Sequence, residues 1–203
     1  MNKELYIIRH GETDLNKQGI VQGRGINSDL NDTGRAQAAA FYEMYKDIPF
    51  DKVYTSKLKR THQTVKGFID AGLAWEELSG LDELAWGVWE GQPNDEHAIT
   101  AFKGLMEKWE SGDFDAHFDG GESPNQVMAR EKEALEVIKN AANEKTVLIC
   151  MHGRAMRLFL CLLTKLPLSE MTNFPHLNTT LYKVTLTGDD FVITEFNNTN
   201  HLK

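Results

Sequence analysis

"LYIIRHGET", residues 5–13, is the stretch whose reading decides the fold. Leu5–Ile8 form a short apolar run without alternation, the pattern of a strand buried on both faces, and the run then breaks into Arg9, His10 and Gly11. Open α/β sheets bind ligands beyond the carboxyl ends of their strands. A strand that ends in a guanidinium and an imidazole therefore presents both groups where a ligand would sit. Thr146–Met151, "TVLICM", is a second such run and is also followed by His-Gly, at His152 and Gly153; Val53-Tyr54 is a shorter one.

Helical patterns separate these runs. "NDTGRAQAAAFYEMYK" opens with cap candidates Asp32 and Thr33, "SKLKRTHQTVKGFIDAG" stops at Gly72, and "SPNQVMAREKEALEVIKNAAN" carries apolar residues at helical spacing. Alternating strand and helix predict an α/β sheet. Two alternating β-rich runs around Gly188-Asp189-Asp190 predict a hairpin at the sheet edge. The least regular stretch, 91–123, has five glycines and one helix expected around Ile99–Glu110; an excursion of that length reads as a lid or specificity segment.

The 203 residues suit one domain spanning 1–203. A composition of 41% hydrophobic and 26% charged residues is that of a folded globular chain. Its formal charge of -8 offers no broad cationic surface for nucleic acid or an anionic membrane, so any anion must be bound in a local pocket. Neither a leader pattern nor an apolar run near membrane-spanning length is evident, and the two cysteines, Cys150 and Cys161, suggest neither a disulfide framework nor a metal site. A cytoplasmic setting is expected.

Either histidine alone reads as well as an ordinary strand-end residue. Arg9 beside His10 tilts the balance, because a half-buried arginine needs an anionic partner and its planar five-donor fork suits phosphate or carboxylate.

Six ordered motifs then carry a resemblance: "RHGETDLN", "LNDTGRAQA", "SKLKRTHQT", "LDELAWGVWEG", "GGES" and "MHGRAMR". Together they are similar to those of the histidine phosphatase superfamily, which includes the cofactor-dependent phosphoglycerate mutases. The resemblance implies a three-layer α/β/α fold with a mostly parallel central sheet, phosphoglycerate mutase-like. It also implies a phosphoric monoester hydrolase acting on a small phosphorylated metabolite without metal or other cofactor. His10 would be the phosphoryl-accepting nucleophile, with Arg9, Arg60 and His152, as an imidazolium, on the phosphate oxygens. Glu83 would protonate the leaving group, with Asp82 as the competing carboxylate, since on an alternating strand only one of the two faces the pocket. Asn16, Gln22, Gly23 and a Thr13 hydroxyl would line the phosphate end, and Gly11 and Gly153 would let the backbone pass close to it. Of Trp86 and Trp89, at least one is expected in the core.

Met151 and Arg154 depart from the serine and small residue of many relatives. Arg154, with Arg157 on the same helix, would either grip a second anionic group of the substrate or pair with a carboxylate such as Glu122. Thr13-Asp14-Leu15-Asn16, in a chain shorter than the mutases, favours a phosphatase over a mutase. The intact set Arg9, His10, Arg60, Glu83 and His152 argues against a regulatory binding module. Nothing in the sequence fixes an oligomeric state.

Overall fold

The computed structural model describes residues 3–188 and 190–203. Its strands are β1 (Lys3–Arg9), β2 (Lys52–Thr55), β3 (Trp75–Glu77), β4 (Thr146–Met151), β5 (Leu181–Thr187) and β6 (Asp190–Asn198). They make one sheet in the order β3-β2-β4-β1-β5-β6. The pairs β3/β2, β2/β4 and β4/β1 are parallel, while β1/β5 and β5/β6 are antiparallel. Seven helices accompany the sheet: α1 (Asp14–Lys17), α2 (Asp32–Tyr45), α3 (Lys59–Thr64), α4 (Lys66–Asp70), α5 (Glu96–Glu110), α6 (Pro124–Asn140) and α7 (Gly153–Thr164).

Alternate residues of the apolar runs enter two separate cores. Leu5, Ile7, Val147, Ile149 and Met151 pack with residues of α5, α6 and α7, whereas Tyr6, Ile8, Leu148 and Cys150 pack with Phe41 of α2 and Phe68 of α4. This explains the lack of alternation, because both faces of β1 and β4 are covered and each fully buried Leu or Ile contributes about 1.5–3 kcal/mol. The mostly parallel sheet lies between two helical layers, as the motifs imply.

Local differences have local causes. Asn31, not Asp32 or Thr33, caps α2 by accepting from the Gly34 N–H at 2.9 Å. "SKLKRTHQTVKGFIDAG" divides at Val65 into α3 and α4 and stops before Gly72. β3 escaped the sequence because it is three residues long, its Trp75 and Glu77 exposed. The 91–123 stretch is more regular than expected: α5 begins at Glu96, capped by Asp95, and buries Ala98, Leu105 and Trp109. Trp86 joins that core, with ring centroids 5.1 Å from Phe102 and 6.0 Å from Trp109; Trp89 is partly buried beside it. Strands β5 and β6 form the expected hairpin; Asp189, part of the turn read from the sequence, lies outside the described residues. Cys150 and Cys161 are free and buried. Among the described residues no helix is long and apolar enough to cross a membrane.

Glu131 of α6 is fully buried, and among the described residues neither carboxyl oxygen has a hydrogen-bond partner. Burial pushes its titration well above the ordinary carboxylate range. An unfolded chain ionises this group above about pH 4.3, while the folded chain keeps the proton. The stability linked to Glu131 is therefore full below that pH and is lost as pH rises toward the folded value. Glu131→Leu is expected to raise the melting temperature, with a larger gain at pH 8 than at pH 5, equivalent to about 1–3 kcal/mol at the higher pH. Thermal denaturation at the two pH values checks this, and a variant less stable than the parent at pH 8 would overturn it.

Candidate active site

The carboxyl ends of β1 and β4 are neighbours, Arg9 pairing in register with Met151. The next residue of each strand, His10 and His152, therefore enters the same crevice, with ring centroids 5.1 Å apart. His10 is 3% exposed, and its Nδ1–H donates to the Gly11 carbonyl at 2.7 Å. A carbonyl only accepts, so this contact fixes the tautomer and leaves Nε2 with a free lone pair. Burial, then the Arg60 and Arg9 charges, hold His10 well below its ordinary 6.5, and the imidazole stays neutral.

His152 is also neutral, for a different geometric reason. Its Nδ1 accepts from Arg60 Nε at 3.2 Å, because a guanidinium only donates, and its Nε2–H then donates to Ser56 Oγ at 2.7 Å. Burial and Arg60 hold its titration well below 6.5. The imidazolium expected from the sequence is thus replaced here by a neutral ring locked between α3 and the end of β2.

Arg60, from α3, is 0% exposed. Besides His152 it donates to the carbonyls of Ile26 at 2.6 Å and Gly23 at 3.3 Å. Lys59, next to it, points away and pairs with Asp29 at 2.9 Å. Arg9 donates through Nη1 to the His176 carbonyl at 2.6 Å, while its Nε is buried with no partner among the described residues. Burial draws both guanidiniums down to about 10. Among the described residues neither has a carboxylate within ion-pair distance.

Asp82 and Glu83 do diverge, but in a loop after the short 3-10 turn Ser79–Leu81 rather than on a strand. Asp82 is turned to the loops, taking the Lys57 N–H at 2.8 Å and Arg24 at 3.0 Å. Glu83 faces the N-terminus of α7. Its Oε1 accepts from the Ala155 and Leu84 N–H groups, both at 2.9 Å, and its Oε2 from the Arg154 N–H at 3.2 Å. The helix end places a carboxylate where the macrodipole favours it. Arg130 of α6 clamps this loop from behind, donating to the Gly80 and Asp82 carbonyls at 2.8 Å and the Glu83 carbonyl at 3.1 Å. Glu122 completes the clamp, its two oxygens each 3.0 Å from Arg130 and one also accepting from the Ala85 N–H. Glu122 is therefore occupied and does not pair with Arg154.

The expected phosphate-end contacts separate into two groups. Asn16 is near His10: Asn178 Nδ2 donates both to the His10 carbonyl at 3.0 Å and to Asn16 Oδ1 at 3.3 Å. Gly23 contributes its carbonyl to Arg60. Thr13, by contrast, is the buried cap of α1, its oxygen accepting from the Asn16 N–H and from Gln22 Nε2. Gln22 also accepts from Ser28, so both of its polar ends serve the loop. Protein packing also requires two of the glycines. A Cβ on Gly11 would lie 2.7 Å from the Gly34 carbonyl oxygen, and one on Gly153 would lie 3.0 Å from His176 Nδ1 and 3.3 Å from Arg9 Nε.

Ser56, Arg130, His176 and Asn178 went unnoticed in the sequence. Ser56 opens the "SKLKRTHQT" motif, but its partner His152 lies 96 positions away; Arg130, His176 and Asn178 lie outside the quoted motifs, and the Asp82, Arg9 and His10 carbonyl or guanidinium groups they meet are 48, 167 and 168 positions away. Among the described residues no three His, Cys, Asp or Glu side chains are grouped to hold a metal ion.

The sequence profile of the Histidine phosphatase superfamily (branch 1) matches residues 5–199. Among curated relatives, the Fructose-2,6-bisphosphatase TIGAR of Bos taurus is 39% identical over 141 residues, 66% of this chain and 50% of that protein. The chain thus spans about half the length of the TIGAR relatives it matches. The Broad-specificity phosphatase YOR283W of Saccharomyces cerevisiae is 33% identical over 98% of this chain and 86% of its own length. Among solved structures, Bacillus stearothermophilus YhfR superposes with a TM-score of 0.87 at 24% identity, covering 99% of this chain and 100% of YhfR, which concerns the fold alone. With the profile running from β1 through the end of β6 and across every motif of the crevice, the chain belongs to the histidine phosphatase superfamily, branch 1.

Proposed function

We propose that this protein is a metal-independent phosphomonoesterase that passes the phosphoryl group of a small metabolite through His10. The observation that carries this reading is the His10 ring: neutral, its Nδ1 committed to the Gly11 carbonyl, its Nε2 lone pair free, with the buried Arg60 and partly buried Arg9 beside it and no carboxylate paired to either among the described residues. Relatives named as phosphatases, including YOR283W and Phosphoserine phosphatase 1 of Hydrogenobacter thermophilus at 28% identity over 98% of this chain, support it.

In the first step His10 Nε2 attacks phosphorus, a P–N bond forms, and the ester P–O bond breaks. Glu83 enters this step as the protonated carboxyl and gives its proton to the leaving oxygen, becoming the carboxylate; Oε2, with one 3.2 Å contact against two at 2.9 Å on Oε1, is the less committed oxygen. In the second step water attacks phosphorus, Glu83 takes the water's proton, and the P–N bond breaks to release inorganic phosphate. Arg9 and Arg60 face the charge on the equatorial oxygens, where preorganised cations contribute most. Splitting the transfer in two lowers each barrier.

Hydrolysis of an aryl phosphate in excess chelator tests the activity, and His10→Ala is expected to lower it by roughly a thousandfold or more; loss with chelator, or a substantial rate in the variant, would overturn the reading. Glu83→Gln is expected to slow alkyl phosphates by about 10²–10⁴-fold and nitrophenyl phosphate far less, because nitrophenolate leaves without a proton. Equal losses on both would remove Glu83 from the acid role. Because His10 is held well below 6.5, its ring should stay neutral as pH falls through that value. An NMR titration, with the signal assigned by its absence in His10→Ala, should show no midpoint between pH 6 and 7.

A further inference from the structure

Beside the phosphate crevice lies a cavity of about 200 Å³, walled by Met106 and Trp109 of α5, Arg154 and Arg157 of α7, and Met171, with the exposed Glu110 at its edge. Arg154 belongs to both spaces: its backbone N–H meets Glu83, and its side chain enters the cavity. The guanidinium stacks against two indoles, 5.7 Å from Trp86 and 5.4 Å from Trp109. Among the described residues its side-chain hydrogen bonds go only to thioethers, Met171 at 3.7 Å and Met106 at 3.5 Å, which are weak acceptors.

Arg157 stands one helical turn further on the same face. It spends its Nε on the Phe174 carbonyl at 2.8 Å, and its two Nη groups have no partner among the described residues. Arg9 grips the same loop two residues later, at the His176 carbonyl, so Arg157 continues the line of cations that begins at Arg60 and Arg9. Among the described residues neither Arg154 nor Arg157 has a carboxylate within 4.0 Å, Glu110 included. Half-buried guanidiniums without counter-charge are costly, and an incoming anion offsets that cost. The stacked indoles fix the Arg154 fork in place before any anion arrives.

Resting on the phosphatase reading above, we propose that this cavity is a second anion subsite. Arg154 and Arg157 take a carboxylate or second phosphate of a substrate whose phosphomonoester end lies at His10. The substrate class is then a small phosphate ester with a second anionic group, and neutral-tailed esters are poor substrates. Two forked donors on one anion are worth roughly ten- to a hundredfold in affinity.

Matched pairs test this. 3-Phosphoglycerate is compared with glycerol 3-phosphate for a carboxylate, and fructose 1,6-bisphosphate with fructose 6-phosphate for a phosphate. In the parent protein kcat/KM for at least one acidic member should exceed that of its partner by about tenfold or more, and the favoured pair identifies the anion. Arg154→Met and Arg157→Met should each bring the ratio toward one, mainly through KM, while Arg154→Lys keeps most of it. Isothermal titration with the acidic esters in a His10→Ala background reads the same loss without turnover, and far-ultraviolet circular dichroism shows that the variants are folded. A ratio near one in the parent, or one that the Met variants leave unchanged, would overturn the subsite. An absence of turnover on every ester and on aryl phosphate, with tight binding still lost in Arg154→Met, would instead overturn the phosphatase reading alone.

Discussion

The Arg60 guanidinium, fully buried and paired with no carboxylate among the described residues, is the group on which the rest of the site depends. A cation in that position is tolerated only when its N–H groups are satisfied. Two carbonyls, from Gly23 and Ile26, and one imidazole nitrogen, from His152, do this. Each partner is thereby constrained in turn. The 23–26 loop is drawn over the crevice, and His152 must offer Nδ1 as an acceptor. Its proton is consequently on Nε2, where Ser56 receives it. A single electrostatic requirement thus ties the end of β2, the end of β4 and the loop after α1 into one arrangement. A carboxylate in place of those carbonyls would satisfy Arg60 more strongly, but it would also cancel the charge that an incoming phosphate needs.

A comparable economy governs the position of Glu83. Glu83 is placed by the N-terminus of α7, which begins directly after His152, so the same strand end that delivers an imidazole also delivers the backbone donors that hold the carboxylate. Asp82, one residue earlier, is excluded from the crevice by its bonds to Lys57 and Arg24. Arg130 fixes three carbonyls of the intervening loop and is itself fixed by Glu122, so the alternation between the two carboxylates survives without a strand to enforce it.

What was legible in the sequence follows from this pattern. Runs buried on both faces announce themselves by unbroken hydrophobicity, so β1 and β4 and their terminal His-Gly pairs could be read directly. Arg60 and Glu83 needed the resemblance, since a basic patch and an acidic pair look like solvated surface in isolation. Ser56, Asn178, His176 and Arg130 were illegible because their roles come from partners that only the sheet order brings near. The glycines carry a second reason that the sequence does not show: Gly11 packs against the Gly34 carbonyl of α2, which leaves no room for a Cβ. Likewise the threonine after Gly-Glu has a structural task that only the fold reveals, its oxygen capping α1.

The field that makes the site receptive also sets the order of events within it. Arg9 and Arg60 each suppress protonation of His10 and His152, so before a substrate enters both rings are neutral and His10 keeps its nucleophilic lone pair. A phosphate dianion reverses the sign of the local charge and removes the penalty on an imidazolium. The His152 ring lies 5.1 Å from that of His10 and donates through Nε2–H to Ser56. Under the proposed function, the imidazolium expected from the sequence would belong to the site with phosphate bound, whereas the neutral ring belongs to the site without it. The same arginines serve both states, holding the rings neutral in the empty site and facing the anion when one arrives.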